Sequence, residues 1–142
     1  MSLQLLFCAD RARHLEEEIE PAIKQGKVVI CDRYFFSTLA YGFASGINFD
    51  WLYAINKAFR MPDLVFFIDV SPDISINGIA KGREQRELFE KRESLGKVRR
   101  AYLNLAKKFR FKIVNGEAGA DETSGEIAKA VDSFFNIKAK HK

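Results

Sequence analysis

The sequence predicts an α/β domain of three layers around a parallel sheet. Three observations carry that expectation. The runs KVVICD (27–32) and LVFFIDV (64–70), with the shorter FKIVN (111–115), are apolar and rich in β-branched and aromatic residues, as strands buried inside a parallel sheet are. Segments of helical periodicity alternate with them, the order that builds strand–helix–strand crossovers. The chain has 142 residues, 47% of them apolar and 13 of them Phe. One core is therefore expected, and a domain of this size buries roughly two-thirds of the surface its unfolded chain exposes.

The elements follow in order. Residues 4–24 carry Leu5, Cys8, Ala12, Leu15, Ile19 and Ile23 at spacings of three and four, an amphipathic helix closed by Gln25-Gly26, with Pro21 bending its last turn. The strand 27–32, buried on both faces, leads through Arg33-Tyr34 into a helix over about 35–44. The turn Ser45-Gly46-Ile47-Asn48 precedes a short helix with Asp50 as cap and WLYAINKAF (51–59) as body. Met61-Pro62-Asp63 stops it before the strand 64–70, and Ser71-Pro72 opens a helix to about Lys81. GREQREL (82–88) is polar, lacks an apolar face and is expected as an exposed loop or flap. The helix 89–109 has its stripe at Leu95, Val98, Tyr102, Leu105 and Phe109. After the strand 111–115, Thr123-Ser124-Gly125-Glu126 reads as a capping box opening a last helix, with Ile127, Val131, Phe134 and Phe135 inward. Lys138–Lys142 reads as a frayed basic tail. No linker or repeat divides the chain, so 1–142 is expected as a single domain.

Composition excludes several classes. The longest apolar run, Leu64–Ile68, is far below the ~20 residues of a membrane helix, and no signal-peptide pattern is present; a cytoplasmic protein is expected. Cys8 and Cys31 fit neither a CxxC spacing nor a disulfide framework and are expected as reduced core thiols. The net charge of +4 is uneven: residues 81–112 hold twelve basic and four acidic side chains, a local +8 that leaves the remainder at −4. Such a field favours phosphate-bearing ligands or nucleic acid, and it equally suits a solvated helix face.

Ligands of open parallel sheets bind beyond the carboxyl ends of the strands. There the first strand delivers Asp32, Arg33 and Tyr34. Asp suits a magnesium ion or its water, and Arg grips a phosphoryl group through a bidentate fork; an ordinary ion pair at a strand end is the competing reading. Phe7 and Arg11 lie one helical turn apart. An aromatic plate beside a guanidinium can stack on a base and bond its edge, and it can also be a core Phe with an Arg lying over it.

In order and spacing, LLFCADR (5–11), VVICDRY (28–34), STLAYG (37–42), WLYAINKAF, PDLVFFIDVSPD (62–73), GREQR (82–86) and KVRRAYLNLAKKF (97–109) resemble the thymidylate kinase family over nearly the whole chain. The resemblance implies a P-loop nucleoside monophosphate kinase-like fold and ATP-dependent phosphorylation of dTMP to dTDP with Mg²⁺. Phe7 matches the family's aromatic that stacks on thymine, and Arg11 the arginine that reads an edge oxygen of that base. Arg33 matches the arginine that grips the acceptor monophosphate, with Asp32 on the metal side of the same turn. Ser37, Thr38 and Tyr41 fall where the family lines the nucleotide pocket, Tyr41 where a ribose 2′-hydroxyl would be crowded. Arg86 matches the lid arginine that closes over the phosphates, and Lys81 and Arg83 fall on the ATP side. Phosphoryl transfer depends on positioning and charge neutralisation, which such residues supply.

The sequence also departs from the family. No G-x-x-x-x-G-K-[ST] is present: Gly26-Lys27 and Gly96-Lys97 are each followed by Val, and Pro21 and Lys91 stand five places before the glycines. By resemblance the chain starts after the P-loop strand, its helix and a second strand, so segments 27–32 and 64–70 would flank an unpaired lane with exposed backbone and apolar groups. Lys81 stands where an adenine-stacking arginine is frequent, Asn77 where a basic residue is frequent, and Gly42-Phe43 where a polar residue follows the tyrosine. The expectations are a truncated kinase that alone binds dTMP weakly and transfers phosphate negligibly, as a homodimer, or else a non-catalytic remnant, or a half-protein completed by a P-loop partner. A basic nucleic-acid module ranks below these, because Phe89 is the sole aromatic between Lys81 and Arg100.

Overall fold

The computed structural model describes the backbone of residues 2–77 and 85–140 and the side chains of 2–76 and 90–136. Its elements run α1 (Ser2–His14), a π-helical turn (Leu15–Ile19), α2 (Glu20–Lys24), α3 (Phe35–Ala44), α4 (Phe49–Asn56), β1 (Phe66–Asp69), α5 (Pro72–Asn77), α6 (Gln85–Phe109), β2 (Lys112–Asn115) and α7 (Ala120–Lys140). β1 and β2 are parallel, with Phe66 opposite Lys112 and Asp69 opposite Asn115. The chain between them passes through α5 and α6, the long crossover that parallel pairing demands.

The core lies where α3 packs on α6 and α4. Phe35, Phe36, Leu39, Ala40, Leu52, Ala101, Leu105, Ala106 and Phe111 form one buried cluster. Leu39 and Leu52 are completely buried. Gly42 allows this approach: a Cβ there would lie 2.8 Å from the Leu52 methyls. Gly46, at φ +83°, ends α3 in the left-handed conformation that glycine adopts without strain. The stripe of the long helix is as expected at Val98 and Leu105, both buried.

Several expectations are corrected. Residues 27–31 form neither strand nor helix and pair with no strand among the described residues, and Val28 and Ile30 are 67% and 91% exposed instead of buried on both faces. β1 likewise has β2 on one edge and no second partner among the described residues, with Ile68 half exposed. Cys31 is exposed where a core thiol was expected. Cys8 is partly buried.

On α1, Leu5 and Ala12 face solvent, because Arg11 turns inward to two polar partners and rotates them out. The bend expected at Pro21 takes the form of the π turn before it. Glu20 N–H bonds the Leu15 carbonyl five residues back, and Pro21, at the start of α2, has no N–H to continue the ordinary register. Asn48, not Asp50, caps α4, its Oδ1 accepting from Trp51 N–H at 2.9 Å. The last helix begins at Ala120, so Thr123 lies inside it and donates to the Asn115 carbonyl at 3.0 Å. Phe135 is exposed, and α7 stays helical to Lys140 where fraying was expected. Of the expected loop 82–88, residues 85–88 already belong to α6, since Gln, Arg, Glu and Leu are good helix formers that need no apolar face; 82–84 lie outside the described residues.

Candidate active site

Arg33 lies just after residues 27–31 with φ +59°, a left-handed conformation that costs a side-chain-bearing residue on the order of 1–2 kcal/mol and that clusters at functional turns. Tyr34 takes extended geometry and starts α3. The reversal lays Arg33 back along the helix. Its Nε donates to Ser37 Oγ at 3.1 Å, and its guanidinium lies 4.6 Å from the Tyr41 ring centroid. Ser37 and Tyr41 are one turn apart on α3, so one helix face supplies both a hydroxyl and an aromatic seat. Ser37 Oγ also shares a hydrogen bond with Tyr102 OH at 2.6 Å.

The next residue on α3 holds the second arginine. Arg11 Nη2 donates to Thr38 Oγ1 at 3.0 Å, and Nη1 donates to Asn56 Oδ1 at 2.7 Å. The Tyr34 and Phe59 rings stand 5.5 and 5.4 Å away. Burial works against the Arg11 charge and lowers its pKa, yet a guanidinium remains protonated at neutral pH. Asn56 is completely buried; its Nδ2 donates to the Leu52 carbonyl at 2.8 Å, which fixes its oxygen toward Arg11. Phe7, 47% exposed, stays an open aromatic plate one turn before Arg11. Burial also raises the Tyr34 pKa, and the Tyr34 hydroxyl has no hydrogen-bond partner among the described residues.

Asp32 and Arg33 help line a cavity of about 490 Å³ between the first helices and the unpaired segment, with His14, Ile19, Ile30 and Tyr34 in its wall. Among the described residues no three His, Cys, Asp or Glu side chains converge to hold a metal. Magnesium is usually held by one or two carboxylates together with substrate phosphates and waters, so Asp32 fits as a single protein ligand and not as part of a cage. Lys81 and Arg83 lie outside the described residues, as do the side chains of Arg86 and Asn77.

Much of the basic segment is structural. Arg92 meets Asp73 at 2.7 Å and Lys97 meets Glu93 at 2.8 Å, while Lys108 Nζ lies 4.9 Å from the Phe49 centroid. Arg99 forks onto Asp69 at the end of β1, with Nε–Oδ1 2.6 Å and Nη2–Oδ2 2.8 Å. These hydrogen bonds hold the Asp69 pKa below its ordinary value. A carboxylate depressed in the folded state stabilises above its unfolded pKa of about 3.9, and that stabilisation is lost as pH falls through the folded pKa. The partly exposed pair is worth on the order of 1 kcal/mol. Thermal melts between pH 6 and 3 should therefore steepen below about pH 4 in the parent chain and less in Asp69→Asn; identical pH profiles would remove the pair from the stability of the β1–α6 contact.

Two residues of this site are not singled out by sequence motifs: Asn56 and Tyr102. Asn56 had a signal, a lone amide four residues after Leu52 on an otherwise apolar face. Tyr102 reads as one more core position.

The sequence model of the thymidylate kinase family matches residues 1–127. The chain belongs to the thymidylate kinase family. It is 38% identical over 132 residues to a probable thymidylate kinase of Thermococcus kodakarensis, covering 92% of this chain and 64% of that protein. To a thymidylate kinase of Clostridium novyi it is 40% identical over 132 residues, 87% of this chain and 64% of the relative. The crystal structure of thymidylate kinase from Ehrlichia chaffeensis superposes with a TM-score of 0.71 at 29% identity, covering 92% of this chain and 65% of that one. The chain thus spans a little under two-thirds of the length of these thymidylate kinases, and its fold is that of a P-loop nucleoside monophosphate kinase over the shared part.

Proposed function

We propose that this chain carries the acceptor-nucleotide half of a thymidylate kinase and binds dTMP. The observation that carries the reading is the pair of arginines tethered to successive residues of α3, Arg33 to Ser37 and Arg11 to Thr38. One helix thereby sets the spacing between a phosphate-gripping and a base-reading guanidinium. In this reading Arg33 takes the monophosphate, Phe7 stacks on thymine, and Arg11 donates to an edge oxygen from its remaining N–H groups. Tyr41 crowds the ribose 2′ position, and Ser37 and Thr38 line the pocket.

The family reaction, ATP-dependent phosphorylation of dTMP to dTDP, also needs a cradle for the donor phosphates, which these 142 residues do not contain. When bound, ATP and Mg²⁺ supply the phosphoryl group and neutralise its charge. The chain's own contribution is Asp32 on the metal side, Arg33 on the acceptor, Arg86 at the start of α6 toward the phosphates, and Lys81 and Arg83 toward ATP. Alone, the chain transfers phosphate negligibly. Calorimetric titration with dTMP combined with a coupled ADP-release assay tests both halves of the proposal.

A second reading, a half-protein completed by another chain carrying the P-loop, is favoured by the unpaired segment 27–31 with its exposed Val28 and Ile30. Leu3, Leu5 and Leu6 on α1, each more than half exposed, support self-association as a homodimer. Among the described residues no helix is long and apolar enough to cross a membrane.

A further inference from the structure

Arg33 does not reach its seat through its own turn alone. Ser37 Oγ accepts from Arg33 Nε at 3.1 Å and shares a 2.6 Å bond with the phenol of Tyr102, 65 residues further along the chain on α6. Arg33 can only donate, so one lone pair of Ser37 is committed to it. Tyr102 then either donates to Ser37, leaving the serine hydrogen free, or accepts that hydrogen. In both cases the serine oxygen is held from two sides.

The Tyr102 ring is itself held. It stacks on Phe67 of β1 with centroids 5.1 Å apart and planes at 11°, and it meets the edge of Tyr41 at 6.3 Å and 86°. Tyr41 is the same ring over which the Arg33 guanidinium lies. Burial raises the Tyr102 pKa, so the phenol keeps its proton at neutral pH.

We propose that Tyr102 is a positioning residue for the nucleotide site: through Ser37 it fixes the Arg33 guanidinium in the orientation that receives an acceptor monophosphate. The ligand half of this proposal rests on the reading of Arg33 as the dTMP phosphate grip. The geometric half, that Tyr102 restrains Arg33, does not. It ties the end of the unpaired segment to the sheet through Arg33, Ser37, Tyr102 and Phe67, so that α6 and α3 must keep their mutual position for Arg33 to keep its own.

The test is Tyr102→Phe in the full chain, which keeps the ring on Phe67 and removes the hydroxyl. The first readout is the Arg33 Nε–Hε resonance, assigned by its disappearance in Arg33→Lys. It should be sharp and slowly exchanging in the parent and broadened in Tyr102→Phe. The second is calorimetry with dTMP and with thymidine. Losing one hydrogen bond in the relay should weaken dTMP about three- to tenfold and leave thymidine unchanged, with Ser37→Ala reproducing the loss and the double variant adding nothing. An Arg33 resonance unchanged in Tyr102→Phe overturns the proposal. So does dTMP affinity within twofold of the parent, or a parallel loss of thymidine affinity, which would mark Tyr102 as packing alone. If the parent chain binds no dTMP, the proposed function falls, and the resonance by itself decides whether Tyr102 restrains Arg33.

Discussion

Replacing Arg33 by alanine is expected to abolish measurable dTMP binding and to leave the melting temperature close to that of the parent. The first outcome follows from charge. Arg33 is the cation that the DRY turn delivers beside the cavity, and its fork is the chemistry for gripping a phosphate. Charge-assisted hydrogen bonds are worth about 1.5–3 kcal/mol, so the loss is at least about tenfold. Thymidine, which lacks the phosphate, loses far less. The second outcome follows from exposure and backbone. Arg33 is exposed, and alanine at φ +59° bears a left-handed cost similar to that of arginine. Calorimetry with dTMP and thymidine, alongside a thermal melt, separates the two effects. Unchanged dTMP affinity in a folded variant would remove Arg33 from the site.

The second large effect is on stability. Asn56→Ala is expected to destabilise the chain by about 2–4 kcal/mol. Asn56 is wholly enclosed and accepts from Arg11 at 2.7 Å. Truncating it leaves a half-buried guanidinium without its best acceptor and a small hole between α1 and α4. The loss should shrink when Arg11 is also replaced by Met, because no charge is then stranded. Urea denaturation of the four proteins measures that coupling. Additive losses would show that Asn56 acts by packing, independently of Arg11. The same substitution should weaken dTMP binding if Arg11 reads the base, since Thr38 alone would then orient it.

What the sequence made legible follows the kind of signal each residue left. α3 was readable to its ends because Phe35, Phe36, Leu39 and Ala40 repeat at helical spacing and meet the apolar stripe of α6. Arg33 was readable because an Asp-Arg-Tyr triplet after an apolar run delivers charge to a strand end. The segment 27–32 is not the buried strand its composition predicts, for a physical reason: apolar β-branched residues report propensity, and a strand also needs a neighbour, which the described residues do not provide. The two helix starts lie within one turn of the expected ones, Asn48 against Asp50 and Ala120 against Thr123, and spacing of residue types alone does not separate positions so close. Tyr102 and Asn56 were hidden for another reason. Their roles arise from contacts across the fold, Tyr102 with Ser37 and Asn56 with Arg11; the lone amide on an apolar face marks Asn56 as unusual without naming its partner, and Tyr102 carries no local mark.

The family assignment sharpens the meaning of the basic segment more than its charge does. Arg99 and Arg92 are engaged by Asp69 and Asp73, so the field of the long helix is partly neutralised where it meets β1 and α5. In the proposed function, phosphate recognition rests on Arg33, with Arg86 at the start of α6 joining it.

The chain is proposed to hold an acceptor-nucleotide site without the donor-phosphate cradle. Titrating the purified chain with dTMP in a calorimeter, then adding ATP and Mg²⁺ and following ADP release in a coupled assay, tests it most directly. The account predicts saturable dTMP binding at least about tenfold tighter than thymidine, with no ADP release above background. Sustained turnover by the chain alone, or dTMP bound no better than thymidine, would contradict it.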